Sequence, residues 1–543
     1  MLFNSYEFIF AFLPCSLLGF YLAAAIGRRA AAGWLVACSI FFYGWWNEGF
    51  VLLLLGSMTF NYGLSRLIEA GGEARPRLQR GLLGAGIGAD LLLLFFYKYL
   101  FTLLSFLGLR GLLPQGLASG IILPLGISFF TFTQIGYLVD TAAGLVKRHH
   151  PLDYMLFVTF FPHLIAGPIL HNGEMIPQFA NPATYRFRVE NLSVGMSIFV
   201  IGLCKKVVIA DPLGEIADPG FAHIHSLTVF GAWQAVLGYS LQLYFDFSGY
   251  SDMAIGAARM FGIVFPLNFN SPYKSHCIID FWQRWHITLT RYLNLYVYNP
   301  LAIWVTRRRM SRKLGASRRD MRTAGGFASM IIFPTTVTIV LAGIWHGAGF
   351  QFLIFGALHA FYLSVNHAWR VFRPRKAQRS PHQSAAGPGW GTLLGCISLT
   401  YAAVLVGQIF FRASSAPAAV AILGRMVGMH ATIGQVLVPG YLLGHLGGLG
   451  NRLVHAGLVT SSPDAVEMKA WMRILIGYVL VWSAPNTQQL MSSFGPALDA
   501  VRPRTHARLL WQPNARWGMA IAALMIASLY NFDKASRFLY FQF

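Results

Sequence analysis

The chain has 543 residues, of which 55% are apolar, 15% aromatic and only 11% charged. Soluble domains carry about 25% charged residues, so this composition excludes an ordinary soluble protein. A net charge of +22 would suggest a nucleic-acid partner for a soluble chain, but no stacking or groove-binding module accompanies it. We therefore predict an all-α, polytopic helical membrane protein with a single membrane domain over residues 1–543 and no nucleic-acid partner.

Apolar runs that can cross a bilayer, which takes roughly 20 residues, recur along the whole chain. We count about eleven to thirteen such segments, several of them short or broken by Gly and Pro. The first is followed by Arg28 and Arg29 rather than preceded by cations. It is therefore expected to be a membrane anchor that enters from outside, not a cleaved signal peptide.

Cationic residues concentrate in the loops between these segments. Of the 42 Lys and Arg residues, 21 lie in five short stretches, at 28–29, 66–80, 147–148, 307–322 and 370–379. Such a concentration is typical of cytoplasmic loops, and we place all five there. The last one opens the most linker-like loop, which runs to residue 392. Between the second and third, Pro124 and Gly126 would break a helix, which predicts a re-entrant piece over 123–130.

Ionisable side chains interrupt the apolar segment 241–263, which contains Asp246, Asp252 and Arg259. Such groups are costly at membrane depth and usually pair or line a cavity. Asp252 and Arg259 are seven residues apart and share a helix face. We predict a structural ion pair between them, with a tunnel-lining role for Asp252 as the alternative.

Residues 276–299 have the periodicity of one amphipathic helix. Its apolar stripe comprises Trp282, His286, Leu289, Leu293 and Tyr296, and its polar stripe comprises Asp280, Arg284, Thr288 and Arg291. His286 would then face packed protein, while Asp280 and Arg284 pair at i, i+4. An interfacial helix with a hydrogen-bonded core histidine is the simplest interpretation, and a functional histidine is the alternative.

Two histidines lie in the otherwise apolar stretch IWHGAGFQFLIFGALHAF, at 344–361. His346 is 24 residues from both Arg322 and Arg370. Two full spans would put it at the outer face, whereas a re-entrant or broken arrangement would put it near mid-membrane. The thirteen residues to His359 turn a regular helix by about 220°, so both histidines face one site only if the helix breaks. The glycines after His346 would permit that break.

The remaining motifs narrow the chemistry. No carboxylate that would orient a metal-ligating histidine lies near these residues, which disfavours a metal or haem site. The sequence has no GxSxG elbow, Walker loop, GxGxxG or histidine with Asp five positions on. An enzyme here would use a histidine without a nucleophile of its own. A transporter or flippase, and a non-catalytic assembly subunit, are the alternatives.

Four stretches in succession carry a resemblance. They are FFPHLIAGPILHNGEMIPQF (160–179), LQLYFDFSGYSDMAIGAARMFGI (241–263), PLNFNSPYKSHCIIDFWQRWHITLTRYL (266–293) and IWHGAGFQFLIFGALHAFY (344–362). They resemble the successive motifs of the membrane-bound O-acyltransferase (MBOAT) superfamily, in its bacterial alginate O-acetyltransferase-like branch. After the third motif such proteins usually read Arg-Asp-Tyr, whereas this chain has Asn294–Leu295–Tyr296. The acceptor therefore stays open.

The resemblance implies a fold of broken or re-entrant helices around a central tunnel, with catalytic His346 in WHG and His286 in RWH. Its further candidates for the tunnel wall are Trp345, Trp285, Trp282, Arg284, Asp252 and His359. It implies no metal and no bound cofactor, with acetyl-CoA or another acyl-CoA as the donor substrate. Neutral imidazole, with an ordinary pKa of about 6.5, can take a proton from the attacking hydroxyl.

The same resemblance implies a multi-pass protein of the bacterial inner membrane, surrounded by membrane lipid. Its acceptor would be a hydroxyl of an exported polysaccharide. The transfer would be direct, or would pass through a periplasmic SGNH-type acetyltransferase or esterase.

Overall fold

The structure is a computed structural model that describes residues 1–71, 75–109, 122–146, 150–373, 389–429, 436–438, 443, 445–461, 466–499, 509–532, 536 and 538–539. Helices account for almost all regular structure in these ranges, which confirms the predicted all-α class. The exception is a parallel pair of three-residue strands, Val436–Val438 and Val459–Ser461. The basic pair at 147–148 and residues 374–388 of the linker-like loop lie outside the described residues.

The first half of the chain forms helices that are mostly short. They are Glu7–Phe12, Leu13–Ile26, Arg28–Gly44, Gly49–Gly71, Pro76–Lys98, Leu100–Phe106, Ile127–Ala142, Pro151–Thr159, Phe161–Leu164, Asn172–Ala180, Pro182–Tyr185, Val189–Cys204, Lys205–Ala210, Asp211–Ala222, Ile224–Ser226 and Val229–Met260. Gly126 precedes Ile127 with a φ of 72°, so the predicted break at Pro124 and Gly126 is present.

The second half contains the stretch 276–299 with His286 and the stretch 344–361 with His346 and His359. Its helices are Pro272–Lys274, Ile278–Trp282, Ile287–Leu293, Asn294–Tyr298, Asn299–Ser311, Asp320–Arg322, Ala324–Phe327, Ala328–Ile332, Phe333–His346, Phe350–Phe372, Trp390–Arg412, Ala416–Met426, Gly447–His455, Val466–Ser483, Thr487–Leu490, Ser492–Phe494 and Ala515–Tyr530.

Six helical stretches of the described chain are long and apolar enough to cross a membrane. They are Glu7–Ile26, Gly49–Gly71, Pro76–Lys98, Val189–Ala222, Ala324–His346 and Trp390–Arg412. This is fewer than the eleven to thirteen segments expected from the sequence. Some apolar segments form shorter helices, such as the 17-residue Arg28–Gly44, and others carry polar side chains along their length, such as Val229–Met260. The chain is a polytopic helical membrane protein.

The 32-residue helix Val229–Met260 is buried over most of its length and packs closely on Val189–Cys204. Two glycine pairs make this approach possible. A methyl group at Gly256 would lie 2.5 Å from the Gly195 carbonyl oxygen, and one at Gly249 would lie 2.7 Å from that of Gly202. Both pairs repeat after seven residues, or about two helical turns, so the backbones touch along a shared stripe of small residues.

A buried ion cluster joins three distant parts of the chain. Lys206 Nζ lies 2.7 Å from Asp211 Oδ1 and 2.6 Å from Asp246 Oδ1, with all three side chains almost fully buried. The Ser536 hydroxyl donates to Asp211 over 2.6 Å, and the Leu539 backbone N–H donates to Asp246 over 3.1 Å. Breaking such a cluster would leave a buried charge without compensation, so we assign it a structural role.

The predicted ion pair between Asp252 and Arg259 is wrong. Asp252 instead pairs with Lys205, whose Nζ lies 2.6 Å from its Oδ2, and accepts a hydrogen bond from Thr487. Arg259 lies 3.9 Å from Glu190 Oε1. Carboxylate and guanidinium found partners on neighbouring helices, which spacing along a single helix cannot reveal. The single domain predicted over residues 1–543 stays a prediction.

Candidate functional site

The predicted helix break after His346 is present. Phe333–His346 ends at that histidine, and a new helix begins at Phe350. Gly347 has an extended backbone that any residue can adopt, so its dihedral angles do not require a glycine. The lack of room for a side chain does. A methyl group there would lie 2.1 Å from the Phe352 ring.

We call the helical stretches Ala324–His346 and Phe350–Phe372 the histidine hairpin. Each has 23 residues, about 34 Å of helix, which is long enough for the two-span alternative, although only Ala324–His346 is also among the stretches apolar enough to cross a membrane. The two helices cross at glycines, because a methyl group at Gly343 would lie 2.8 Å from the Gly356 Cα atom. His346 and His359 each follow one of these glycines by three residues, so the crossing brings both histidines into the same region.

The predicted continuous helix over 276–299 is wrong. Ile278–Trp282 and Ile287–Leu293 are separate helices, and His286 between them adopts a left-handed φ of 45°. Non-glycine residues adopt this conformation at a cost that the surroundings must offset, and such residues cluster at functional sites. The predicted contact between Asp280 and Arg284 is confirmed, with Oδ1 and Nε 2.7 Å apart.

Asn268 holds His286 in this conformation. Its side-chain oxygen lies 3.1 Å from His286 Nδ1 and accepts from both the backbone N–H and the hydroxyl of Thr288. Because an amide oxygen only accepts, His286 Nδ1 carries a proton and Nε2 is the ring's acceptor nitrogen. The Thr288 hydroxyl also accepts the backbone N–H of Ile169, which ties the site to the 160–179 motif.

His359 has a different kind of partner. The Trp282 indole N–H donates to His359 Nδ1 over 3.3 Å. On the other side of the ring, a methyl group at Gly407 would lie 2.5 Å from His359 Nε2. His359 is therefore packed tightly between two helices.

Three histidines from separate segments line one enclosed space, the histidine cavity, of about 30 Å³. His286, His346 and His359 share it with the aromatic rings of Trp282, Trp285 and Phe411. All three histidines are buried. The volume admits about one water molecule, so only a small group can reach the imidazoles without movement of the rings.

His346 also lines a second space, the lysine cavity, of about 100 Å³. Its wall includes Trp46, Lys98, Gly126, Ser128, Trp345 and His346. Lys98 Nζ donates to the Trp345 carbonyl oxygen over 2.6 Å and lies 5.8 Å from the centre of its indole ring. His346 thus stands at the boundary of two cavities.

The other predicted site residues divide between several places. Trp345 lines the lysine cavity and an apolar groove of about 840 Å³. Arg284 lines the basic pocket, a space of about 700 Å³ that also contains Lys274 and His276. Asp252 lines none of these spaces and forms its ion pair with Lys205.

Sequence reasoning missed Asn268 and Lys98 as site residues. Asn268 lies inside a quoted motif, and its position 18 residues before His286 reveals no contact. Lys98 was visible as a single cation at the end of a long apolar run, which is a usable signal for an intramembrane functional group.

No group of three or more His, Cys, Asp and Glu side chains among the described residues has the arrangement of a metal site.

Known proteins match this chain over most of its length. The sequence profile of the MBOAT, membrane-bound O-acyltransferase family, matches residues 93–316. A peptidoglycan O-acetyltransferase of Helicobacter pylori is 39% identical over 460 residues, which cover 79% of this chain and 80% of the relative. A probable alginate O-acetylase AlgI of Pseudomonas aeruginosa is 37% identical over 426 residues, 76% of this chain and 72% of the relative.

A teichoic acid D-alanyltransferase of Bacillus subtilis is 30% identical over 288 residues, 53% of this chain and 68% of the relative. The three relatives are named for three different glycopolymers, and all three names describe acyl transfer. With their extent of similarity, the chain belongs to the membrane-bound O-acyltransferase family.

Proposed function

We propose that this protein is an O-acetyltransferase of the bacterial inner membrane, which moves an acetyl group from cytoplasmic acetyl-CoA to a hydroxyl on the periplasmic side. The observation that carries the proposal is the position of His346 on the wall of both the histidine cavity and the lysine cavity. A base at that boundary can meet a thioester from one side and an alcohol from the other.

The direction of two helices supports a periplasmic lysine cavity. Pro76–Lys98 begins among the cations of the 66–80 stretch and ends at Lys98. Arg28–Gly44 begins with two arginines and ends two residues before Trp46, which lines the same cavity. Cationic ends belong on the cytoplasmic side. The other ends of these helices, and the cavity between them, then lie towards the periplasm.

The basic pocket supports a cytoplasmic donor. Arg370, in the basic stretch 370–379, has its Nη2 3.3 Å from the Cys277 sulfur, next to His276 of this pocket. The pocket has the size of a cofactor site and carries Lys274 and Arg284. These cations would attract the phosphates of CoA. Trp285, beside Arg284 in the chain, already lines the histidine cavity.

The chemistry needs one general base and no protein nucleophile. Neutral His346 accepts the proton of the acceptor hydroxyl as the oxygen attacks the thioester carbonyl. His286, held by Asn268, supports it from the adjacent wall. The acceptor is a hydroxyl of an exported polysaccharide, or of a periplasmic SGNH-type partner that passes the acetyl group on. The relatives named for peptidoglycan and alginate support this acceptor class.

The test is release of free CoA thiol from acetyl-CoA by the purified protein in detergent, in the presence of an unacetylated polysaccharide that supplies the acceptor hydroxyls. His346→Ala should lower the rate by about 10²–10⁴-fold, as expected for removal of a general base. The matched control is His225→Ala, which removes an exposed histidine and should leave the rate unchanged. A wild-type protein without CoA release, or a His346→Ala protein at the wild-type rate, would contradict the proposal. A parallel assay of ester content in the exported polysaccharide identifies the acceptor.

A further inference from the structure

Lys98 is a cation without an acidic neighbour in the lysine cavity. Among the described residues that line this cavity, it is the only Lys, Arg, Asp or Glu. One of its three N–H groups donates to the Trp345 carbonyl oxygen over 2.6 Å, so two remain for another acceptor. That carbonyl belongs to the residue before His346. The ammonium group of Lys98 therefore contacts the backbone of the residue next to His346, at the end of helix Phe333–His346.

We propose that Lys98 is a second catalytic residue, whose ammonium group stabilises the negative charge that develops on the thioester carbonyl oxygen during acetyl transfer. This inference rests on the proposed function and adds to it the electrophilic half of the site. A base alone removes the hydroxyl proton but does nothing for the oxyanion. Preorganised donors at that oxygen usually supply the larger share of the rate.

The step balances with the groups already present. The acceptor oxygen forms a bond to the carbonyl carbon while His346 takes the hydroxyl proton. The carbonyl π electrons move to the oxygen, which accepts hydrogen bonds from the two remaining N–H groups of Lys98. The intermediate then collapses, the C–S bond breaks, and the CoA thiolate takes the proton back from His346. Lys98 keeps its charge throughout.

Two features of the surroundings favour a charged Lys98 at this point. The C-terminal end of helix Phe333–His346 carries the negative end of the helix dipole, and Lys98 contacts a carbonyl there. The cavity of about 100 Å³, which Ser128 and Gly126 also line, holds several water molecules, so the acetyl end of a donor that approaches through the histidine cavity fits there. A charge–dipole interaction in this enclosed space is less screened than one in bulk water.

If Lys98 only capped the helix, then removal of another cap at the same helix end should lower the activity to a similar extent. Its bond to the Trp345 carbonyl caps the helix, and the neighbouring Tyr99 hydroxyl caps the same end by donating to the Ile344 carbonyl oxygen over 2.9 Å. Tyr99→Phe removes the second cap without changing a residue that lines the lysine cavity. It is therefore the matched control for loss of capping alone.

The experiment compares Lys98→Met, Lys98→Gln, Lys98→Arg and Tyr99→Phe in the CoA-release assay, with melting temperatures in detergent measured alongside. Lys98→Met and Lys98→Gln should lower kcat by about 10²–10³-fold, the usual effect of removing one oxyanion donor, with KM for acetyl-CoA within about threefold. Lys98→Arg, which keeps the charge and the donors, should recover at least about tenfold over Lys98→Met. Tyr99→Phe should keep the wild-type kcat.

A Lys98→Gln protein with near wild-type kcat, or a Tyr99→Phe protein that loses as much as Lys98→Met, would overturn the inference. So would a Lys98→Arg protein no faster than Lys98→Gln. If Lys98→Met does not fold, the comparison of Lys98→Arg with Lys98→Gln decides, because both can donate to the Trp345 carbonyl and they differ in charge. Absence of CoA release by the wild type contradicts the proposed function instead, so the two failures are distinguishable.

Discussion

Asn268 and Trp282 give two neighbouring histidines opposite hydrogen-bonding roles. His286 donates to Asn268 through Nδ1, which leaves Nε2 as its acceptor nitrogen. His359 accepts the Trp282 indole N–H at Nδ1 and fits against Gly407. The first arrangement prepares a nitrogen that can share a proton with another group, whereas the second uses the ring to position an indole.

At this scale we predict that His286→Ala and His359→Ala fail in different ways. His359→Ala leaves the Trp282 N–H without its acceptor and opens a space in a packed wall. It should lower stability by about 1–3 kcal/mol while CoA release per folded molecule stays within about threefold. His286→Ala should lower CoA release more than it lowers stability. Melting temperature and turnover of the two purified variants check this. Equal turnover losses at unchanged melting temperature would contradict it.

His346 could be singled out from the chain alone, because it lies midway between two basic stretches and within a family motif. Lys98 could not be assigned to the same site. Its partner Trp345 is 247 residues further along the chain, and nothing in local periodicity connects them. The same holds for Asp252, whose partner Lys205 is 47 residues away on another helix. Local spacing identifies reactive side chains but not the partners that define their roles.

At the scale of elements, glycine determines how closely helices approach. The crossing of Val189–Cys204 with Val229–Met260 uses Gly195, Gly202, Gly249 and Gly256. The two helices of the histidine hairpin also cross at a pair of glycines, Gly343 and Gly356. Because no net hydrophobic force drives one apolar helix onto another in lipid, close backbone contact is a major source of helix association there.

We predict that Gly256→Ala destabilises the protein while Gly238→Ala on the same helix does not. The added methyl group at Gly256 would lie 2.5 Å from a backbone oxygen, so the helices must separate. At Gly238 the nearest atom would be 3.6 Å away, an ordinary contact. Gly256→Ala should lower the free energy of unfolding by about 1–3 kcal/mol, the usual cost of an overpacked contact. Its melting temperature and its yield in detergent should therefore be lower. Equal melting temperatures for both variants would refute the prediction.

The periodicity over 276–299 correctly predicted that His286 and Leu289 are buried, at 1% and 0% exposed. It was wrong for Thr288 of the polar stripe, which is also 0% exposed, and for Tyr296 of the apolar stripe, which is only partly buried. It was also wrong about continuity. A left-handed residue interrupts the backbone without disturbing the alternation of apolar and polar residues. Only the contact with Asn268, outside that stretch, shows why the interruption occurs at His286.

On the scale of the whole molecule, the cationic stretches predict its orientation in the membrane. In a background without the five native cysteines, cysteines at Ser317 and Arg373 should be protected from a membrane-impermeant maleimide in the periplasm. A cysteine at Asn47, beside the lysine cavity, should react. All three positions are exposed, so protection reports their side of the membrane rather than burial. Labelling at Ser317 or Arg373 in intact spheroplasts would reverse the assigned topology.

The ion cluster at Lys206 has a consequence for biosynthesis. Asp246 accepts a hydrogen bond from the backbone N–H of Leu539, which is 293 residues further along the chain. This bond cannot form until the ribosome has synthesised that residue. At about 5–20 residues per second, a ribosome needs roughly 15–60 s to supply that segment. During this interval the buried carboxylates of Asp211 and Asp246 have Lys206 but lack their later donors. The nascent chain therefore passes through a long-lived, incompletely satisfied state, in which membrane chaperones and quality-control proteases have time to compete for it.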